Sequence, residues 1–157
     1  MISQTHDIVV IADASCLIAL TNIEALNLLK ELYSEIYITS EIAIEFGENL
    51  PQWIKIVAVK NTKYQQILDL LLDKGEASAI AMAMEYSNVL LILDDLKGRK
   101  EAQRLGFRIT GTLGLLFKAK TLGLIEKITP YIKKLKEKGF RISPKIEEDI
   151  LRQSGEL

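Results

Sequence analysis

Five acidic residues stand at four places where a carboxylate can do chemistry. Asp13 follows the apolar run "DIVVIA", and the adjacent pair Asp94 and Asp95 follows "VLLIL". Glu45 lies near the end of "SEIAIEF", and Glu76 opens "EASAIAMA" directly after Gly75. Carboxylates crowded together repel one another, which raises their pKa values unless a cation compensates. A divalent ion shared by two or three of them removes that cost, and oxygen-only ligation selects Mg²⁺ or Mn²⁺.

Each acid also has a plain structural reading. Asp13 precedes a helical pattern and fits an N-cap. Glu76 in a first helical turn suits the helix dipole. Glu45 fits a solvated helix face, and the Asp94-Asp95 pair fits a polar turn. Only their joint placement favours a site over four unrelated surface charges.

That placement depends on the elements around them. "DIVVIA" is short and β-branched, as a buried strand of a parallel sheet requires, and "VLLIL" is the clearest buried strand. "SCLIALTNIEALNLLKELY" has apolar residues at three- and four-residue spacing and reads as one or two helices. "EIYIT" reads as a strand, and Ser40 as the N-cap of a helix through "EIAIEF" that Gly47 stops. After a polar connection with Pro51 and Trp53, "IKIVAV" reads as a short extra strand.

Helices are expected over residues 63–72, over "EASAIAMAMEY" after the punctuating Gly75, over 97–105 and over 111–122, with "FRIT" a strand between the last two. This alternation predicts an α/β three-layer sandwich, a central, mostly parallel sheet with helices on both faces. Ligands of such sheets bind at the carboxyl ends of the strands, where Asp13 and the Asp94-Asp95 pair fall. Residues 123–157 form a charged, helical C-terminal extension of a single domain spanning 1–157, in which "FRI" at 140–142 is the sole strand-like piece. The apolar spacing of "LIEKITPYIKKL" there suits an amphipathic helix packed on the domain or on a second copy.

Composition excludes several classes. The 157 residues, 48% apolar and 26% charged, suffice for a core without cross-links. Cys16 is single, which rules out a disulfide framework or a cysteine-rich zinc site within one chain. The N-terminus has no basic leader, and Asp7 and Asp13 interrupt its apolar stretch, so no signal peptide or membrane span is expected and the cytoplasm is the default location. The net charge of −1 exerts no bulk pull on nucleic acid, so such a partner needs a local basic patch or a metal. His6 is read as neither catalytic nor a ligand. "GTLG" lacks the third glycine of a dinucleotide fingerprint.

"VIADASCLIAL", "EIAIEF", "GEASAIAMA" and "LILDDLKGRKEA" followed by "GFRITGTLGLLFKAKTLGLI" resemble, in order and spacing, the PIN-domain family, closest to a branch related to the toxin ribonucleases of toxin-antitoxin pairs. The resemblance spans nearly the whole chain. It implies an acidic cluster at the carboxyl edge of the sheet, one or two Mg²⁺ or Mn²⁺ ions, and cleavage of RNA phosphodiesters. Asp13 matches the first family acid, Glu45 the second, Glu76 the aspartate that opens a helix in many members, and Asp94 or Asp95 the last. A homodimer and a small antitoxin protein as partner are implied in the same way.

In that chemistry Asp13 with Asp94 or Asp95 is expected to hold a metal that activates water and polarises phosphate. Glu45 or Glu76 binds a second ion or orients the water. Ser15 matches a hydroxyl often found near the first acid and, with Arg99, is expected to contact substrate. Lys97, Lys100, Arg104, Lys118 and Lys120 are candidates to join Arg99 on flanking phosphates. Thr110 and Thr112 read as helix caps more readily than as phosphate contacts.

Two departures from the family pattern stand out. Leu93 occupies a place where many members have Thr or Ser, and Glu76 reaches one methylene further than an aspartate. A phosphoacceptor receiver domain orders its acids the other way round, and a dehalogenase-type phosphatase needs an aspartate where Ser15 stands. The stronger alternative is a non-catalytic PIN-like module that binds RNA or protein.

Overall fold

A computed structural model describes residues 8–157; His6 and Asp7 lie outside the described residues. The first half contains β1 (Val9–Ala12), α1 (Ala14–Asn22), α2 (Asn27–Tyr33), β2 (Ile36–Ile38), α3 (Ser40–Phe46) and β3 (Ile54–Ile56). Then come α4 (Thr62–Asp69), α5 (Lys74–Ala83), β4 (Val89–Ile92), α6 (Leu96–Arg104), β5 (Arg108–Thr110) and α7 (Thr112–Thr121). The chain ends with α8 (Thr129–Glu137) and α9 (Pro144–Gln153).

All five strands are parallel, in the order β3-β2-β1-β4-β5. The chain builds outward from β1 to β3 on one side, then crosses back and builds from β4 to β5 on the other. The reversal lies between β1 and β4, where ligand crevices form in open α/β sheets. Every β1 residue is buried, as a central strand covered on both faces must be.

The register pairs Ala12 with Ile92, and the Asp13 N–H donates to the Ile92 carbonyl at 3.0 Å. Parallel neighbours lie about 4.8 Å apart, so the chain leaves the sheet at Asp13 and at Leu93-Asp94 side by side. Packing fixes this edge. Ile11, Leu17, Leu29, Ile38, Ile80 and Leu91 are fully buried, and truncating any one to alanine is expected to cost about 2–5 kcal/mol. In α5 the small residues Ala77, Ser78, Ala79, Ala81 and Ala83 are also fully buried, which lets this helix lie close against β1 and β4.

Several local expectations need correction. Thr39, not Ser40, caps α3: its hydroxyl accepts the Ile42 N–H at 3.2 Å, while the Ser40 hydroxyl turns to Glu41. Strand β3 covers only the start of "IKIVAV"; the Val57 N–H still donates to the Ile38 carbonyl at 2.8 Å, and after it the chain leaves the sheet edge. Helix α4 ends at Asp69 instead of 72. Gly75 lies inside the first turn of α5, not before it. The "FRI" of 140–142 forms no strand; β3 and β5 already hold the two sheet edges, and this segment joins α8 to α9.

Candidate active site at the strand crossover

The crossover edge gathers all four predicted acidic places and adds a fifth. Asp13 occupies the N-cap position of α1, yet its side chain makes no capping hydrogen bond. It is 4% exposed, and its Oδ1 has no hydrogen-bond partner. Burial pushes its pKa up to about 7; the Ala14 N–H opposes the shift, while Asp73, Glu45 and Asp94 add to it. The plain N-cap reading therefore fails for the side chain: a capping oxygen would be satisfied by helix N–H groups.

Glu76, in the first turn of α5, is 3% exposed with Oε2 unpartnered. Its pKa is raised by burial first, then by Asp73, by a hydrogen bond shared with Asp95, and by the charges of Asp95 and Asp13. Glu45, in the last turn of α3, is raised by desolvation and by Asp73. The missed member is Asp73, the N-cap of α5, which accepts the Glu76 N–H at 2.9 Å. Its signal was present in the sequence, since Asp73 followed three residues later by Glu76 is a capping-box pattern.

Asp94 and Asp95 divide their work. Asp94 Oδ1 accepts the Thr112 N–H at 2.8 Å and Oδ2 accepts the Thr112 hydroxyl at 2.6 Å, so Asp94 holds the start of α7. Thr112 is thus neither a cap nor free for phosphate; Gly111 occupies the cap position. Asp95 caps α6, its Oδ2 accepting the N–H groups of Lys97 and Gly98 at 3.0 and 3.2 Å. Asp94 contributes to the field on Asp13, and Asp95 to that on Glu76.

Glycines make room for these oxygens. A Cβ on Gly75 would stand 2.9 Å from Glu45 Oε1 and 3.2 Å from Asp13 Oδ1, so these two carboxylates border one small space. A Cβ on Gly98 would stand 2.8 Å from Glu76 Oε2, and one on Gly111 2.7 Å from Asp94 Oδ1. Gly75 and Gly98 sit in first helical turns, where glycine costs about 1 kcal/mol relative to alanine. That unexplained cost was the sequence signal for the cradle. A buried hydroxyl pair, Thr39 and Ser78 at 2.6 Å, ties α3 to α5 and so fixes Glu45 relative to Gly75.

The predicted cations scatter. Arg99 stays at the edge: its Nη1 donates to the Leu93 carbonyl at 2.9 Å and lies across the Gly111 space from Asp94. Lys97 and Lys100 are exposed on α6. Arg104 is engaged by Glu101. Lys118 lies over the Tyr33 ring, 4.6 Å from its centroid, and Lys120 is held by Glu156 and the Ser154 carbonyl, so neither joins Arg99. Ser15 is exposed on the first turn of α1.

Among the described residues no three His, Cys, Asp or Glu side chains already stand in ready-made ligand geometry. The donor set nevertheless fits a hard divalent cation. Two buried carboxylate oxygens lack partners, all the donors are oxygens, and the neighbouring acids raise the pKa values of Asp13 and Glu76. No described helix is long and apolar enough to cross a membrane. No curated protein matches the chain in sequence. A family model described as a PIN domain matches residues 9–156. PIN domains are generally nucleases, and the match takes in every acid at the crossover edge. The chain belongs to the PIN-domain family.

Proposed function

We propose that this protein is a divalent-metal-dependent ribonuclease that hydrolyses RNA phosphodiester bonds at the crossover edge. The observation that carries the reading is the pair of buried, unpartnered oxygens, Asp13 Oδ1 and Glu76 Oε2, in an acid cluster that raises the pKa of both groups. Neutral hydroxyl or amide partners would have relieved such oxygens at no functional gain. A cation relieves them and leaves a reactive centre.

Asp13 and Glu76, with Asp94 or Asp95 beside them, would hold Mg²⁺ or Mn²⁺. When bound, the ion would supply a Lewis acid for phosphate oxygens and a lower pKa for water. Glu45 borders the same space, its pKa raised by desolvation and by Asp73, and from there it would orient a water and accept its proton. The water oxygen then attacks phosphorus, the opposite P–O ester bond breaks, and the proton passes to the departing oxygen. Arg99, anchored on the Leu93 carbonyl, is placed to bind a phosphate with its remaining N–H groups. Asp94, locked by Thr112, positions α7 against this edge.

Calorimetric titration with Mn²⁺, followed by RNA incubation with and without chelator, tests the reading. Saturable Mn²⁺ binding and chelator-sensitive cleavage, both lost in Asp13→Asn, are expected. Mn²⁺ binding with no cleavage of any RNA would leave a non-catalytic PIN-like module instead. Within the nuclease reading the chain acts in the cytoplasm as a homodimeric toxin paired with a small antitoxin protein. The motif resemblance alone supports that last step, and co-purification with the product of a neighbouring short reading frame tests it.

A further inference from the structure

Ser15, Ile18, Ala19 and Asn22 recur at three- and four-residue spacing and form one stripe along α1. Facing that stripe are Lys138 and Phe140, from the turn in which α8 ends, and between them lies an open groove of about 270 Å³. The turn is rigidly specified. Gly139 has φ +91°, a conformation that favours glycine, and the Phe140 N–H donates to the Leu135 carbonyl at 2.9 Å. Phe140 is only half buried, and Ile18 is 38% exposed.

Lys138 brings a cation to the same wall. From Lys127 to Lys145 the chain has seven lysines and arginines against one acid, Glu137, although its total charge is −1. Lys136 is engaged by Glu147 at 2.8 Å. Lys138 and Arg141, on either side of Phe140 in sequence, are exposed and have no ion-pair partner among the described residues. An aromatic face between two uncommitted cations suits a single-stranded nucleic acid: the ring stacks a base and the cations hold its phosphates. One end of the groove is lined by Ser15, in the first turn of the helix that Asp13 precedes.

We propose that the groove between α1 and the exit turn of α8 receives one unpaired base of the RNA strand. Phe140 provides its stacking face, Asn22 a polar contact to its edge, and Lys138 and Arg141 hold the flanking phosphates. The inference rests on the nuclease reading for its substrate. It assigns substrate selection in part to Lys138, Phe140 and Arg141, far in sequence from the catalytic acids, and it predicts a preference for unpaired over duplex RNA.

The test is fluorescence anisotropy of a dye-labelled, mixed-sequence eight-nucleotide RNA in chelator, where no cleavage intervenes. Phe140→Leu is expected to weaken binding roughly 5- to 150-fold, and Phe140→Tyr to restore it. Lys138→Gln with Arg141→Gln, both at exposed positions, is expected to lower the salt slope of binding by about 1.4. Unchanged affinity and slope in these variants, with cleavage intact in Mn²⁺, would overturn the groove and leave the nuclease standing. Phe140-dependent RNA binding without cleavage in Mn²⁺ would support the groove and remove the nuclease. Loss of a dimer in light scattering, with RNA affinity unchanged, would assign this face to a second copy and also overturn the proposal.

Discussion

Two sheltered carboxylates in this fold are treated in opposite ways. Glu156 is a partly buried residue whose side chain is 5% exposed, and every demand of its carboxylate is met. Oε2 accepts from Lys120 Nζ at 2.8 Å and the Ile128 N–H at 2.7 Å, and Oε1 accepts from the Thr129 N–H at 2.9 Å and its hydroxyl at 2.6 Å. Despite burial, these donors pull its pKa well below the usual glutamate range. Asp13 is more deeply buried, has an unpartnered oxygen, and is pushed the other way. Glu156 is a clamp that closes the C-terminal helices onto α7, whereas Asp13 stores repulsion that a cation can release. Shelter from solvent therefore does not by itself mark a functional acid; a buried carboxylate oxygen left without a partner does.

The largest expected effect breaks the active half of the contrast. Asp13→Asn should lower metal-dependent RNA cleavage at least about 100-fold. It should also remove most of the thermal stabilisation that Mn²⁺ gives the wild type, which is about 2.7 kcal/mol at a hundredfold excess over Kd. An RNA cleavage assay reads the first effect, and melting curves with and without Mn²⁺ read the second. If the variant keeps full cleavage, Asp13 is not the centre of the site.

The clamp half breaks next. Glu156→Ala leaves the Lys120 ammonium and the N–H groups of Ile128 and Thr129 without their acceptor, at an expected cost of about 2–4 kcal/mol in urea denaturation. Cleavage per folded molecule should be unchanged, because these contacts lie on α7 and α8 and not among the crossover acids. A stability loss below about 0.5 kcal/mol would reduce the clamp to an ordinary surface pair.

Acid should act on the two regions with opposite signs. The raised pKa of Asp13 means that the metal-free native state keeps a proton the unfolded chain has lost between pH 3.8 and about 7. Stability contributed there falls as pH rises through that window, and Glu76 acts in the same direction. The depressed pKa of Glu156 makes the clamp fully effective above its ordinary value of 4.5, and it weakens as pH falls below that value toward the folded pKa. The metal-free protein should therefore be most stable near pH 4 and lose stability as pH rises toward 8, a loss that Asp13→Asn reduces and Mn²⁺ reverses. Chemical denaturation across pH 3 to 9 in chelator measures it.

The sequence revealed the acids and the strands more readily than what serves them. β1 and β4 were legible because a strand buried on both faces has to be apolar throughout, and the acids that follow it then mark its carboxyl end. The cap of α3 was not, because Thr39 and Ser40 are equivalent to any cap rule and only the turn geometry chooses Thr39. Nor was the fate of Lys118 and Lys120: both face contacts set by tertiary packing, Tyr33 from α2 and Glu156 from beyond α9. The partners of Glu156 are likewise supplied by residues about 27 to 36 positions away, a separation over which no periodicity operates.

Asp94 falls between the two extremes and sharpens the comparison. It belongs to the acidic edge by position, yet both its oxygens are met, like those of Glu156, by the backbone and hydroxyl of a single residue. Thr112→Val keeps the shape and the N–H donor and removes only the hydroxyl, so the expected cost is about 1 kcal/mol, the smallest effect considered. Thr112→Ser should recover most of it. Freed on one side, Asp94 Oδ2 becomes available to a cation, so the valine variant should bind Mn²⁺ no more weakly than the wild type. Weaker Mn²⁺ binding would mean that the hydroxyl aims Asp94 at the ion, placing Asp94 with Asp13 among the ligands instead of among the supports.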